Sequence, residues 1–304
     1  MLLLRIVLFS SSSFVLFLII MLYLPQDLPA AATLGAQTFP LQDWQQVSSV
    51  KRVLFLNLMP QKQVTESDIA RTLHDTGENV QLIPLKIRGQ RYKTTPQAYV
   101  EHFYLDFEEI VAFCFDRLII TGAPVEQIPF EEVRYWEALC HIMDWADRHV
   151  ERTLYICWGA QAGLYHHYRI PKYDLPAKCF GIFAQTVHCP DSFLMESLSP
   201  AFAMPNSRHT EVRRADILAH ASEGLQLVAD SPESGVGVVA TTDGSRTFIV
   251  GHLEYEPYTL DNEYRRDLAK GLPIQPPLHY YNKEHEVDFV WHEAAVRFYR
   301  NWVR

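Results

Sequence analysis

The sequence predicts an α/β fold with an open, mostly parallel sheet flanked by helices. From residue 50 onwards, short apolar runs alternate with helical patterns, as in sheets that have helices on both faces. Glycine or proline follows several of these runs, at the points where strands would end. No internal repeat or low-complexity linker divides the chain, so residues 21–304 are expected to form a single domain.

The first half of the chain supplies most of the predicted parallel sheet. Apolar runs of strand length occupy 53–58, 80–87, 116–121 and 152–156. Helices are predicted at 65–75 with Thr65 as N-cap, from Thr95-Pro96 towards Phe103, and at 131–149. The third strand ends at Gly122-Ala123-Pro124, a backbone that a ligand can approach closely at the carboxyl edge of the sheet.

The second half shows weaker patterns. Residues 171–190 have no clear period, and strands are expected at 225–228, 236–240 and 247–250. Two helices, at 260–270 and 287–302, close the chain as a C-terminal helical extension.

Composition narrows the possible partners. The net charge is −9 and there is no basic run, so a nucleic-acid partner is not expected, and an anionic co-substrate would have to be bound by local residues. The five cysteines are odd in number and lack CxxC spacing, so neither a disulfide framework nor a zinc ribbon is indicated. His149, His166 and His167 have no ligand partners at a recognisable spacing, so no metal and no bound cofactor are expected.

The N-terminus allows two interpretations. Met1 to Leu24 is apolar or serine apart from Arg5, like a membrane anchor or a signal peptide, and Ala30-Ala31-Ala32 offers a cleavage site. Alternatively, Met21 is the true start and residues 1–20 are a mis-called extension. We favour the second interpretation and a cytoplasmic location, because the chain after Met21 is typical of a soluble metabolic enzyme. A membrane is a partner only if residues 1–24 are translated and retained.

The most informative stretch is Tyr155-Ile156-Cys157-Trp158-Gly159-Ala160-Gln161-Ala162-Gly163, a strand that delivers one cysteine onto a turn opening a helix. The positive end of the helix dipole and the free backbone N–H groups favour a thiolate there. The same N–H groups could hold the oxyanion of a tetrahedral intermediate. Cys157 is therefore predicted to form a covalent thioester.

A cysteine nucleophile needs a base, and the base needs an orienting group. His252 follows a strand end after a glycine, and Glu254 lies two residues on, where an extended chain places both on one face. The carboxylate could fix the imidazole tautomer and leave the second nitrogen for proton transfer. On this pattern alone, a structural histidine remains an equal alternative.

Five blocks together resemble the homoserine O-acyltransferases of methionine biosynthesis. They are Leu56-Asn57-Leu58-Met59-Pro60, Thr121-Gly122-Ala123-Pro124-Val125-Glu126, Cys157 to Tyr165, Ser207-Arg208-His209-Thr210-Glu211-Val212, and Gly251-His252-Leu253-Glu254-Tyr255. The resemblance runs from about residue 21 to the C-terminus. It implies a class I glutamine amidotransferase-like, flavodoxin-like fold, and a ping-pong transfer in which Cys157 is the nucleophile, His252 the general base and Glu254 its orienting group.

The resemblance also implies substrate contacts. Lys178, Ser207 and Arg266 match positions that bind the amino acid, and Lys62 matches a lysine near the active site. Glu126 stands where a glutamate is typical of acetyl-specific members and a glycine of succinyl-specific members. A fixed carboxylate repels the terminal carboxylate of a succinyl group.

These positions imply acetyl-CoA as co-substrate and L-homoserine as acceptor. A homodimer is also expected. Several alternatives stay open. They are a succinyl donor, serine as acceptor, a glutaminase-like hydrolase on the same site, and a membrane-anchored protein without catalysis.

Overall fold

The computed structural model describes residues 21–304, and the chain enters the sheet at the start of that range. The first elements are β1 (Leu22–Pro25), α1 (Pro29–Leu34) and β2 (Gln37–Phe39). Leu22 and Leu24 are buried, and so are Ala30 and Ala31 of α1. The candidate cleavage site is thus a packed helix, and cleavage there would remove a strand from the sheet. The predicted extension, residues 1–20, lies outside the described range.

The next elements alternate as predicted. They are β3 (Lys51–Leu56), α2 (Lys62–Asp75), β4 (Val80–Lys86), α3 (Gln97–Phe103), β5 (Leu105–Asp106), β6 (Phe115–Ile120), α4 (Trp136–His149), β7 (Val150–Ile156) and α5 (Trp158–Tyr168). Two helix starts differ from the prediction. Gln61, and not Thr65, is the N-cap of α2. Helix α4 begins at Trp136, because the preceding segment forms a short 3₁₀ turn after Pro129.

The second half contains β8 (Tyr173–Val187), β9 (Ala201–Glu211), α6 (Arg214–Ala219), β10 (Leu225–Ser231), β11 (Gly235–Thr241), β12 (Arg246–Ile249), α7 (Thr259–Ala269) and α8 (His292–Val303). The prediction of an irregular 171–190 segment was wrong, since β8 occupies most of it. Its period was hidden because Pro176 lies in the strand and its pairing with β9 shifts register between Asp174 and Cys179.

The twelve strands of residues 21–304 form one sheet, in the order β2-β1-β4-β3-β6-β7-β12-β11-β10-β8-β9, with β5 paired to β4. The pairs from β2 to β12 are parallel and those from β12 to β9 are antiparallel, which confirms the predicted mostly parallel sheet. Because β7 and β12 run parallel, with Ile156 opposite Ile249, the residues after both strands emerge at the same edge. That edge carries the predicted nucleophile and base.

Helix α8 is part of the core. Phe298, Tyr299 and Trp302 are fully buried in it. The buried guanidinium of Arg117, on β6, donates to the backbone oxygens of Trp302 and Val303 at 2.8 and 2.7 Å. A buried cation satisfied in this way fixes the last turn of the chain against the parallel sheet.

Candidate active site

Cys157 occupies a strained turn between β7 and α5. Its backbone has φ 54° and ψ −117°, outside the regions that non-glycine residues prefer, and its N–H donates to the Ile249 oxygen at 2.7 Å. The turn is possible because Gly159 lacks a side chain. A Cβ there would lie 2.7 Å from the Thr121 oxygen. The sequence prediction of a cysteine at a strand-to-helix turn is confirmed in its geometry.

His252 and Glu254 lie in contact, but the expected extended segment is a turn, in which the Tyr255 N–H lies 3.5 Å from the His252 oxygen. The Nδ1 of the imidazole lies 2.7 Å from Oε1 of Glu254, and both side chains are buried. The ring of Tyr255 stacks on the imidazole with centroids 4.1 Å apart and planes 12° apart. The carboxylate and the stacked ring together fix the orientation of the imidazole, leaving Nε2 free of Glu254.

The electrostatics of this group favour a charged imidazole. Burial disfavours the imidazolium, but the Cys157 thiolate and the Glu254 carboxylate outweigh it, so the pKa of His252 is raised well above its usual value. Asp68, on α2, is a second buried carboxyl near this pair. Burial and the charges of Glu254 and Glu256 raise its pKa well above the usual value. Sequence reasoning missed Asp68, since nothing local marks it as buried.

A cavity of about 260 Å³ lies at the carboxyl edge of the sheet. It is lined by six of the predicted site residues, namely Glu126, Cys157, Lys178, Ser207, His252 and Arg266. The predicted ligand-approach backbone, Gly122-Ala123-Pro124, forms part of the same wall, as predicted. Gly122 packs on the nucleophile, because a Cβ on it would lie 3.7 Å from the Cys157 sulfur.

The carboxylate of Glu126 is fixed in this cavity by β9. Its Oε2 accepts from the backbone N–H of His209 at 2.8 Å and from the hydroxyl of Thr210 at 3.2 Å. The backbone oxygen of Glu126 accepts from the Lys172 ammonium at 2.5 Å. The carboxylate, held by two contacts on a backbone that is itself fixed by Lys172, presents a defined negative charge to anything bound beside Cys157.

The other end of the cavity is a network of paired charges. Oε1 of Glu263 accepts from the Lys178 ammonium at 2.6 Å and from the Ser207 hydroxyl at 2.8 Å. Arg266 makes a two-pronged contact with Asp267, with Nε at 2.7 Å from Oδ1 and Nη2 at 2.9 Å from Oδ2. Its charge also lowers the pKa of Asp267.

Sequence reasoning picked the cations of this network and missed Glu263 and Asp267. Both carboxylates line the cavity and lie on α7 with Arg266. The signal was present in Glu263-Tyr264-Arg265-Arg266-Asp267, because residues three or four apart share a helix face.

Lys62 lies at the first turn of α2 and is not among the residues that line the cavity. The residue is 2% exposed, and its ammonium donates to the Asn57 oxygen at 2.5 Å and lies over the rings of Tyr92 and Tyr104. Burial lowers the pKa of Lys62 to about 8, partly opposed by Glu66. The lysine supports the 57–60 segment, two residues of which form the cavity wall.

Because of Lys62, the free energy of unfolding should increase as the pH rises above 8. The unfolded chain keeps its proton to about pH 10.4 while the folded state loses it near 8, so unfolding takes up a proton in between. We expect the free energy of unfolding to increase by about 1.5 kcal/mol between pH 8 and 9.5 because of Lys62, and this increase should be absent in Lys62→Met. Denaturant unfolding of both proteins at each pH measures it, and parallel curves would contradict the assignment.

Two of the histidines that were considered as metal ligands contact other side chains. His166 contacts Asp144 at 2.7 Å, and His167 contacts the Tyr155 hydroxyl at 3.0 Å. The five cysteines are free thiols. Within residues 21–304, no three histidine, cysteine or carboxylate side chains are grouped so as to hold a metal ion. In the same range, no helix is both long and apolar enough to cross a membrane.

The fold matches solved glutamine amidotransferases. A glutamine amidotransferase of Thermotoga maritima superposes with a TM-score of 0.55 at 14% identity, covering 84% of this chain and 98% of that one. A second, from Methylobacillus flagellatus, gives 0.55 at 11% identity, with coverage of 84% and 94%. The chain therefore has the predicted class I glutamine amidotransferase-like fold, with a cysteine, a histidine and a glutamate at one edge of the sheet.

A sequence model of the homoserine O-succinyltransferase family matches residues 21–304, and the chain belongs to that family. The resemblance to homoserine O-acyltransferases is thereby confirmed. A homoserine O-acetyltransferase of Parabacteroides distasonis is 45% identical over 289 residues, 93% of each chain. One from Geobacillus kaustophilus is 42% identical over 287 residues, covering 92% of this chain and 94% of that protein.

Proposed function

We propose that this protein transfers an acetyl group from acetyl-CoA to the hydroxyl of L-homoserine, giving O-acetyl-L-homoserine for methionine biosynthesis. The observation that carries the proposal is a cysteine, a buried histidine–glutamate pair and a fixed Glu126 carboxylate around one cavity. Relatives that are 42–45% identical over more than nine-tenths of the chain are named homoserine O-acetyltransferases, which supports it.

In the first half-reaction, the Cys157 sulfur attacks the thioester carbonyl of acetyl-CoA. The bond between that carbonyl and the CoA sulfur breaks, and the acetyl group remains on Cys157 as a new thioester. His252, protonated in the resting pair, gives its proton to the leaving CoA thiolate. Exchange of one thioester for another is nearly isoenergetic, so the covalent step divides the transfer into two easier ones.

In the second half-reaction, His252 is neutral and takes the proton of the homoserine hydroxyl as that oxygen attacks the acetyl carbonyl. The bond to sulfur breaks, the ester leaves, and the resting thiolate–imidazolium pair is restored. Glu254 holds the imidazole through Nδ1 in both halves, at 2.7 Å, and stabilises its charge. Glu254 is a positioning residue, whereas Cys157 and His252 are the catalytic residues.

Each half-reaction passes through an oxyanion beside Cys157. The first backbone N–H groups of α5 have no intrahelical partner and lie at the positive end of its dipole. The backbone of Gly122 packs against the Cys157 side chain from the opposite wall. We assign stabilisation of the oxyanion to these backbone groups, because donors that are already oriented are worth most at such a charge.

The paired charges at the other end of the cavity suit a zwitterionic amino acid. Arg266 offers a planar fork for the α-carboxylate, and Lys178 and Ser207 lie beside it. Glu263, which accepts from both Lys178 and Ser207, provides the negative charge that an α-ammonium requires. Arg266 is bonded to Asp267 in this structure, so substrate binding shares or exchanges that contact.

The donor is assigned as acetyl-CoA through Glu126. The family description names succinyl transfer, whereas the relatives at 42–45% identity are named for acetyl transfer. A glutamate fixed by His209 and Thr210 occupies space beside Cys157 and places a negative charge where a succinyl carboxylate would extend. Like charges in a poorly solvated cavity cost several kcal/mol.

Replacing Glu126 should change the donor. In Glu126→Gly, loss of the carboxylate removes both the charge and the bulk, and we expect kcat/KM for succinyl-CoA to rise by about 100-fold relative to that for acetyl-CoA. The two values are measured side by side with L-homoserine. Glu126→Gln, which keeps the size and removes the charge, separates the two contributions. An unchanged donor ratio in both variants would contradict the assignment.

One assay tests the whole proposal. Purified residues 21–304 should release CoA continuously from acetyl-CoA only when L-homoserine is present, with O-acetylhomoserine as product; without it, CoA release should not exceed one equivalent per protein. If transfer to L-serine is faster than transfer to L-homoserine, L-serine is the acceptor. Steady hydrolysis of L-glutamine would favour the glutaminase-like alternative. The paired charges of Glu263 and Arg266 favour an amino acid as acceptor, whether it is L-homoserine or L-serine.

Three further assignments belong to the same proposal. We assign residues 21–304 to one domain, because β1 at its start and α8 at its end both pack into the same core. We also propose a cytoplasmic location, where acetyl-CoA is present. A homodimer is proposed as well, supported by exposed large apolar side chains on the C-terminal segment, such as Leu268 and Val290.

A further inference from the structure

The proposed acyl donor is larger than the cavity that contains Cys157. The cavity has a volume of about 260 Å³. Sites that enclose a whole drug-sized ligand have volumes of roughly 300 to 1,000 Å³. Coenzyme A ends in a nucleotide with a pyrophosphate and a 3′-phosphate, so these anions must lie outside the cavity. Two cations of the cavity, Lys178 and Arg266, are already paired with Glu263 and Asp267.

A basic loop lies beside the cavity, at residues 86–93. It contains Lys86, Arg88, Arg91 and Lys93 and no acidic residue, although the whole chain has a net charge of −9. Sequence analysis missed it because the four cations alternate with other residues and form no run. The loop follows the carboxyl end of β4, the edge at which open α/β sheets bind ligands.

Two cations of this loop are available to a ligand. Lys86 and Arg88 each lie 3.5 Å from Asp106. Arg91 and Lys93 are exposed, and no carboxylate of residues 21–304 forms a salt bridge with either. Their positive charges are therefore not neutralised by a neighbouring ion pair.

The loop is attached to the cavity wall. The Thr94 and Thr95 hydroxyls both donate to the backbone oxygen of Pro60, the latter at 2.8 Å, and Pro60 lines the cavity with Cys157. The ring of Tyr92, between Arg91 and Lys93, lies 4.7 Å from the ammonium of Lys62. The backbone that carries both cations is thus attached to the 57–62 segment, two residues of which line the cavity.

We propose that Arg91 and Lys93 bind the phosphates of the acyl-CoA, while its flexible arm passes Pro60 to bring the thioester to Cys157. This inference rests on the proposed function. The guanidinium of Arg91 offers a fork that suits phosphate, and the Lys93 ammonium adds a mobile point charge. A cationic rim on an acidic protein also attracts the anionic donor to this side of the molecule.

The test is an Arg91→Glu/Lys93→Glu double variant. Its KM for acetyl-CoA should rise about tenfold or more while kcat stays within about twofold, because the chemistry of Cys157 is untouched. With S-acetyl-N-acetylcysteamine, a donor without phosphates, kcat/KM should equal that of the wild type. Added salt should raise the wild-type KM for acetyl-CoA and leave that of the variant nearly constant.

Two controls sharpen the test. Arg148→Glu makes the charge change of either single substitution on an exposed arginine at the end of α4, on the opposite edge of the sheet, and should leave KM unchanged. Lys270→Glu follows α7 on the far side of the cavity, and a larger effect there than in the loop would overturn the proposal. Equal KM values for the double variant and the wild type would also overturn it. An inactive wild type would instead contradict the proposed function.

Discussion

Cys157→Ala should abolish acetyl transfer, lowering kcat by about a millionfold or to the detection limit. Loss of a nucleophile in a coupled catalytic group typically has this size, because the remaining groups have nothing to activate. Mass spectrometry of wild-type protein mixed with acetyl-CoA alone should show one added acetyl group on the Cys157 peptide. The variant should show none, while CoA release without homoserine should stay below one equivalent in the wild type.

Cys140→Ala is the matched control. Cys140 is a free, half-buried thiol on α4 that does not line the cavity, and burial raises its pKa to about 11, so it is a poor nucleophile. This variant should keep wild-type kcat and full acetyl labelling. Labelling on another cysteine, or an active Cys157→Ala, would remove the thioester from the mechanism.

The strand-to-helix turn at Cys157 could be predicted from the sequence because its causes are local. An apolar run, one cysteine and closely spaced glycines are enough to indicate a strand, a turn and a helix in contact. Gly159 in particular has its reason nearby in space, since a Cβ would contact the Thr121 oxygen. The pairing of His252 with Glu254 is also local, because only Leu253 separates the two residues, within one turn.

What escaped prediction depends on distant contacts. The apolar stretch before Pro25 resembled a membrane segment, yet β1 is buried because it pairs with β4 and β2, which the sequence does not reveal. Asp68 and Lys62 lie on the polar helix α2, and only the packing of that helix makes both buried. The pairing of Lys178 and Ser207 with Glu263 was missed for the same reason, since it depends on α7 docking against β8 and β9.

Glu254→Gln should lower kcat by about ten-thousandfold while the protein stays folded. The glutamine keeps the size of the side chain but can donate to Nδ1, which selects the wrong tautomer and leaves Nε2 protonated in the neutral ring. The comparable change in a serine protease triad has this magnitude. Loss of the carboxylate also lowers the pKa of His252, since Glu254 is one of the two charges that raise it.

The pH profile distinguishes this role from a structural one. The first half-reaction needs the His252 imidazolium as acid for the departing CoA, so its rate falls as pH rises through the pKa of His252. With that pKa lowered, the basic limb of the profile should move to lower pH in Glu254→Gln, measured as single-turnover acetylation of Cys157. Glu256→Gln is the matched control, because Glu256 is paired with Arg71 at 2.6 Å and lies outside the cavity. Glu256→Gln should keep the wild-type rate of Cys157 acetylation and the wild-type position of the basic limb. A Glu254→Gln protein with kcat within tenfold of wild type and an unmoved limb would mean that Tyr255 stacking alone orients the base.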